Sequence, residues 1–339
     1  MLPTSHEAAA FSGSIDLASE RLGGRALSAN DEFFAPKENL LKPDRAVFVP
    51  DKYTEFGKWM DGWETRRRRT PGHDWCIVKL GAPGVIQGFD IDTAHFLGNH
   101  PPYASVDALE LAEDVAGETL EKSGAWREAL PRVPLKPGSQ NLFASASSAA
   151  RATHVRLNIH PDGGVARLRV YGRVAPDPAR LAWSELDLAA IENGGTVVAA
   201  SDMFFGAKEN LIMPGRAAVM GDGWETRRRR GPGNDWLVVA LAATGRVRRV
   251  LVDTNHFKGN CPDRCSLDAC HARGAVVDAL TAHELPWKPL LPESKLTPHH
   301  EHTFERELKD VGACTHVRLS IFPDGGVSRL RLWGSVARA

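Results

Sequence analysis

This chain repeats itself, and no other property narrows its architecture as far. The nine residues DGWETRRRR at Asp61–Arg69 return unchanged at Asp222–Arg230. FFAPKENLL at Phe33–Leu41 returns as FFGAKENLI at Phe204–Ile212, and DTAHFLGNHP at Asp92–Pro101 as DTNHFKGNCP at Asp253–Pro262. THVRLNIHPDGGVARLRVYG at Thr153–Gly172 returns as THVRLSIFPDGGVSRLRLWG at Thr315–Gly334. So long a period excludes a solenoid and predicts two tandem domains, 1–176 and 177–339. The offset between copies is 171 residues before the arginine run and 161 or 162 after it. The first copy therefore holds an insert around FVPDKYTEFGK (Phe48–Lys58), expected as a longer surface loop. GRVAPDPARLAW (Gly172–Trp183) has the prolines and small residues of an extended linker.

Within each copy the apolar pattern has the period of a strand. Val155, Leu157 and Ile159 alternate with His154, Arg156 and Asn158, and Ala166, Leu168 and Val170 form a second alternating set. The PDGG between them has the chemistry of a tight hairpin. WCIVKLGAPGVIQGFDIDT (Trp75–Thr93) predicts two more strands split by a Gly/Pro turn. ASVDALELAED (Ala104–Asp114) and SLDACHARG (Ser266–Gly274) show no clear period and receive no element. Many short strands between Gly/Pro turns predict an all-β fold, two tandem jelly-roll β-sandwiches. One continuous sandwich fits less well, because each copy carries its own set of strands.

Lys plus Arg number 42 and Asp plus Glu number 42, so the chain has no overall field drawing it to nucleic acid or an anionic membrane. No apolar run approaches the ~18–20 residues of a membrane helix, and the start MLPTSHEAAAFSGS lacks the basic and apolar regions of a leader. A cytoplasmic protein is expected. Five cysteines, an odd number, read as reduced thiols rather than a disulfide framework.

The arginine runs need a local explanation. In an extended chain Trp63, Thr65, Arg67 and Arg69 share one side, and Glu64, Arg66 and Arg68 the other. Such a strand cannot hide in a core: it meets polar groups on both faces, or it is a loop at the rim. A solvated charge run would drift between copies, whereas nine identical letters, with Arg throughout, point to a specific, partly buried network. Three uses compete: phosphate binding, which the neutral total disfavours; a salt network with carboxylates such as Glu38, Asp74 or Asp92; and recognition of a small anion. For the last, Glu64 and Glu225 beside the guanidinium groups would stay ionised, as a base should.

Two other polar islands recur. Lys37, Glu38 and Asn39, with Lys208, Glu209 and Asn210, read either as a hydrogen-bonded turn or as binding residues. Asp92, His95 and Asn99, with Asp253, His256 and Asn260, lie where a strand runs into a Gly-containing loop, the Asp a candidate to orient the imidazole. Asp92, His95 and His100 have ligand chemistry, but Cys261 replaces His100 in the second copy and Phe322 replaces His160; a divalent metal stays open, and no cofactor is assigned. Cys261, Cys265 and Cys270 have no C-x2-C partner, which argues against structural zinc. HHEH (His299–His302) is expected as a surface loop. No nucleophile elbow, Walker loop or dinucleotide fingerprint occurs.

FFAPKENLL, DGWETRRRR followed by GHDW, DTAHFLGN and HVRLNIHPDGGVARLRVYG together resemble the signature blocks of the allantoicase family, over both repeats and nearly the whole chain. DG..TR followed by DW...LG is also similar to discoidin-type ligand-binding modules. The resemblance implies paired jelly rolls related to galactose-binding domains, and hydrolysis of allantoate to ureidoglycolate and urea. It implies a small anionic substrate; the charge balance and the lack of a long apolar run leave no nucleic-acid or membrane partner expected, and a homo-oligomer is expected. On this chain, Glu64 and Glu225 are then candidate bases and His95 and His256 candidate acids. The substrate would be gripped by Arg66, Arg67, Arg68, Arg69, Arg227, Arg228, Arg229 and Arg230, by Trp63 and Trp224, and by the two polar islands. Asn234 stands in place of His73, so whether both copies act, or one site draws on both, stays open. The rivals are a non-catalytic carbohydrate- or anion-binding protein, and an interaction protein whose arginines seal an oligomer.

Overall fold

The computed structural model describes residues 11, 14–111, 117–146, 150–177, 179, 185–281 and 285–337. Most of the MLPTSHEAAAFSGS start, the end of the ASVDALELAED segment, and residues 178 and 180–183 of the expected linker lie outside the described residues. The chain divides into two compact units, Met1–Ala175 and Pro176–Ala339.

The first unit contains β1 (Ile15–Asp16), β2 (Arg25–Ala29), β3 (Tyr53–Thr54), β4 (Gly57–Lys58), β5 (Trp63–Glu64), β6 (Asp74–Asp92) and β7 (Tyr103–Leu109). It continues with β8 (Arg127–Pro134), β9 (Leu142–Ala144), β10 (Arg151–His160), β11 (Gly164–Val165) and β12 (Arg167–Val174). The second unit repeats the plan with β13 (Leu186–Asp187), β14 (Thr196–Ala200), β15 (Trp224–Glu225), β16 (Asp235–Asp253) and β17 (Arg264–Cys270). Its last strands are β18 (Lys288–Lys295), β19 (Glu301–Phe304), β20 (Cys314–Phe322), β21 (Gly326–Val327) and β22 (Arg329–Val336).

In each unit one long strand organises the sandwich. The N-terminal part of β6 pairs with β2 and β10, and its C-terminal part with β12 and β9. The order is β1-β12-β6-β10-β7-β8, and β13-β22-β16-β20-β17-β18 in the second unit. β6 is thus common to both layers, and register shifts in β10 and β12 mark the changeover. Val155, Leu157, Ile159, Leu168 and Val170 are fully buried with Ile77 and Phe89. Each contributes about 1.5–3 kcal/mol of burial.

Several sequence expectations change here. Trp75–Thr93 does not form two strands split by a turn, since the strand runs unbroken through Pro83. β10 and β12 do not form a hairpin across PDGG; they flank β6 on opposite sides, and Gly164–Val165 between them pairs with Trp63–Glu64. A favourable turn sequence was outcompeted by non-local pairing with a longer strand. The unassigned segments contain β7 and β17, whose apolar alternation is blurred by Asp107 and Asp268, each paired with an arginine on the neighbouring strand. Gly172–Val174 of the expected linker end β12, and the HHEH tract enters β19. The insert forms a small exposed hairpin of β3 and β4.

The β5–β11 pairing brings the repeated motif over the loop after β6. A Cβ on Gly164 would stand 2.0 Å from Phe96, and one on Gly62 2.6 Å from the Val165 carbonyl, so both positions admit only glycine. Phe96, fully buried, packs there with Met60 and Ala166.

Candidate active site

Glu64 ends β5, and Asn99 lies beyond the Phe96 turn; the pairing just described joins them across 35 residues, Asn99 Nδ2 donating to Glu64 Oε1 at 2.6 Å. Burial raises the Glu64 pKa above its ordinary value, and the Asn99 bond opposes the rise only in part. No guanidinium takes part in this balance, which corrects the expectation that the arginines hold Glu64 ionised. Glu64 is therefore more readily protonated than an exposed glutamate, while the Asn99 bond favours its ionised form.

His95 has φ 70°, a left-handed conformation uncommon for a residue with a Cβ. Its Nε2 lies 3.1 Å from the Ala46 carbonyl, and its ring stacks on Phe48 at 5.7 Å. A carbonyl only accepts, so Nε2 donates, and Nδ1 of the neutral ring is an acceptor. Asp92 does not orient the imidazole: its Oδ1 accepts the Ala94 N–H at 2.8 Å, a carboxylate folding back on its own turn. Asp253 caps Asn255 in the same way and also pairs with Arg216.

Glu64, His95 and Asn99 share a cavity of about 510 Å³ with Phe34, Phe48, Phe56, Lys58 and Met60. Phe48, Phe56 and Lys58 belong to the insert and went unrecognised in the sequence. The signal available was that aromatic residues and lysines crowd the one stretch without a counterpart.

None of the eight arginines lines this cavity. After Glu64 the chain leaves the strand and becomes the rim loop foreseen as one alternative. Arg66 pairs with Asp31 at 2.7 Å and covers the Phe33 ring, and Arg68 pairs with the buried Asp74 at 2.6 Å. In the second unit Arg227 pairs with Asp202 and covers Phe204, and Arg229 pairs with Asp235. Arg67, Arg69, Arg228 and Arg230 are exposed. Two arginines of each run are therefore paired with carboxylates, and all except Arg68 and Arg229 are exposed.

The remaining candidates hold the frame. Trp63 and Trp224 are fully buried, donating from Nε1 to the carbonyls of Asp31 and Asp202 at 2.8 Å. Lys37 pairs with Glu32 and Glu38, and Lys208 with Glu209. Asn39 Nδ2 donates to Gly62, and Asn210 Nδ2 to Gly223, fastening each 3₁₀ turn to the repeated motif. Among the described residues no group of three or more His, Cys, Asp or Glu is placed to hold a metal ion, and all five cysteines are free.

The second unit keeps the pair, Asn260 donating to Glu225, and His256 Nε2 again meets a carbonyl, that of Ala217. Its surroundings differ. Met220 Sδ lies 3.8 Å from Asn260 Nδ2, and His299 accepts the His256 N–H at 2.9 Å.

A family model described as the allantoicase repeat matches residues 15–175 and 186–337. A probable allantoicase 1 of Burkholderia mallei is 54% identical over 323 residues, covering 95% of this chain and 94% of the relative. An allantoicase of Dictyostelium discoideum is 52% identical over 319 residues, covering 94% and 86%. The crystal structure of allantoicase from Saccharomyces cerevisiae superposes with a TM-score of 0.82 at 37% identity, covering 98% of this chain and 99% of that one. Two copies of the repeat, matched along nearly all of the sequence and in the fold, establish that the chain belongs to the allantoicase family.

Proposed function

We propose that the protein hydrolyses allantoate to ureidoglycolate and urea, at a site built around Glu64, Asn99 and His95. The observation that carries this reading is the first-unit cavity, where a desolvated carboxyl and an imidazole acceptor stand together within a chain that matches a probable allantoicase over 95% of its length. That whole-chain match favours hydrolysis over binding without catalysis.

Glu64 protonates the departing ureido nitrogen. The other ureido nitrogen forms a C=N bond to the central carbon as its proton passes to His95 Nδ1, and urea leaves. Water then adds to the C=N carbon, its proton going to the Glu64 carboxylate while His95 returns a proton to nitrogen. Both groups are restored, and the sum is allantoate plus water to ureidoglycolate plus urea. Arg67 and Arg69, exposed and within five residues of Glu64 along the chain, attract the anion toward the cavity. Glu225, His256, Arg228 and Arg230 are the corresponding residues of the second unit.

We assign the domains to 1–176 and 177–339, and the enzyme to the cytoplasm as a homo-oligomer. No helix among the described residues is long and apolar enough to cross a membrane. Met203, Phe204, Phe205, Val219 and Met220 are exposed apolar residues of the second unit, the kind of surface that an assembly buries.

Purified protein given allantoate releases urea and ureidoglycolate in equal amounts; tight binding of allantoate without urea would instead place it among the binding proteins. A pH profile tests the acid. Glu64 acts protonated, so kcat/KM falls as pH rises through its pKa. Asn99→Leu removes the bond that favours the carboxylate, raises that pKa further, and moves the alkaline limb to higher pH. An unmoved limb would show that another group is the acid.

A further inference from the structure

Allantoate carries a carboxylate next to the carbon that reacts, and neither Glu64, Asn99 nor His95 offers it a cation. Lys58 does. It is the last residue of β4, half-buried in the wall of the same cavity, with Nζ 5.0 Å from the Phe48 ring centroid and 4.7 Å from that of Tyr53. Lys37, Lys42, Lys208 and Lys295 each pair with a carboxylate. Among the described residues no carboxylate is within ion-pair distance of Lys58, Glu64 included. Aromatic faces hold an ammonium by its charge without neutralising it, so its N–H donors are left for a ligand.

The second unit has no equivalent. The insert that brings Lys58 is absent there, and Met220 lies against Asn260. Arg216, the nearby guanidinium, is committed to Asp253 and Glu301. Lys258, which takes the place of Leu97, is exposed.

Resting on the reading of the protein as an allantoate hydrolase, we propose that Lys58 binds the substrate carboxylate. The Phe48–Lys58 insert thereby gives the first unit a grip on the anion that the second unit lacks. With the carboxylate on Lys58, a ureido group faces the Glu64–Asn99 pair.

Steady-state kinetics of Lys58→Met and Lys58→Arg, with allantoate and with the amide of its carboxyl group, test this. Lys58→Met raises KM for allantoate about ten- to hundredfold, the loss of one charge-assisted bond, with a much smaller change in kcat. Wild type prefers the carboxylate to the amide by a similar factor; Lys58→Met abolishes the preference, and Lys58→Arg retains most of it. Lys258→Met, the control in the second unit, leaves both constants unchanged. If Lys58→Met keeps both KM and the preference for the carboxylate, the proposal is overturned while the allantoicase activity stands. An equal rise in KM for Lys258→Met would overturn the assignment to the insert. Absence of urea release from wild type would instead remove the activity on which the proposal rests. A thermal melt of each variant separates loss of binding from loss of fold, and Lys58→Arg supplies the readout should Lys58→Met not fold.

Discussion

Glu64→Gln lowers kcat about 10²–10⁴-fold with the melting temperature unchanged. Glutamine keeps the shape, and its Oε1 still accepts from Asn99 Nδ2, so the 2.6 Å contact and the β5–β11 pairing beneath it persist. What disappears is the one carboxyl that lines the cavity among the described residues, and burial raises its pKa. The alkaline limb of the pH profile assigned to Glu64 disappears with it. Urea release at the wild-type rate would retire Glu64 as the acid, and with it the two-step mechanism. KM changes little if Lys58, as proposed, holds the substrate carboxylate.

Arg167→Met destabilises the first unit by about 3–5 kcal/mol, the usual consequence of removing one member of a buried ion pair, with Lys42 left as the remaining cation beside Asp61. Arg167 is 2% exposed, and its Nη2 lies 2.7 Å from Asp61 Oδ2. The same guanidinium donates to the carbonyls of Asp44, Asp61 and Ala166. Burial alone would raise the Asp61 pKa; Arg167, the Val47 N–H and Lys42 together overcome this and hold the carboxyl below its ordinary value. Stability tied to this carboxylate is therefore full above its unfolded pKa and is lost as pH falls through the depressed folded value. The variant loses most of that dependence. Denaturant unfolding read by fluorescence checks it: with two units the curve is not two-state, and an early phase belonging to the first unit should separate. Activity falls in parallel, because Asp61 anchors the segment from Lys42 to Val47 whose Ala46 carbonyl holds His95. Wild-type unfolding in Arg167→Met would mean that the pair contributes nothing net.

The candidate site was partly legible because the chain writes it twice. Glu64, His95 and Asn99 sit in motifs shared by both copies, and they meet in one cavity. Lys58 was illegible for the same reason: looking for repetition passes over an insert. How the arginines divide was not legible, for another reason. Four identical side chains suggest one task, yet Asp31 and Asp74 neutralise alternate members, and those partners arrive from a different strand end and from the start of β6. Charge in a sequence does not say which charges remain available.

Repetition and alternation of apolar residues were enough to specify two all-β units, because a strand's buried face depends on the spacing of its own side chains. Pairing partners were not specified. PDGG has every feature of a hairpin, but its flanking strands both go to β6, and Gly164 to Glu64, because contacts with distant residues bury more than a local turn can. The desolvation of Glu64, the tautomer imposed on His95 by Ala46, and the unpaired ammonium of Lys58 follow from the same long-range contacts. Such properties belong to neighbours in space, and only the folded chain makes them neighbours.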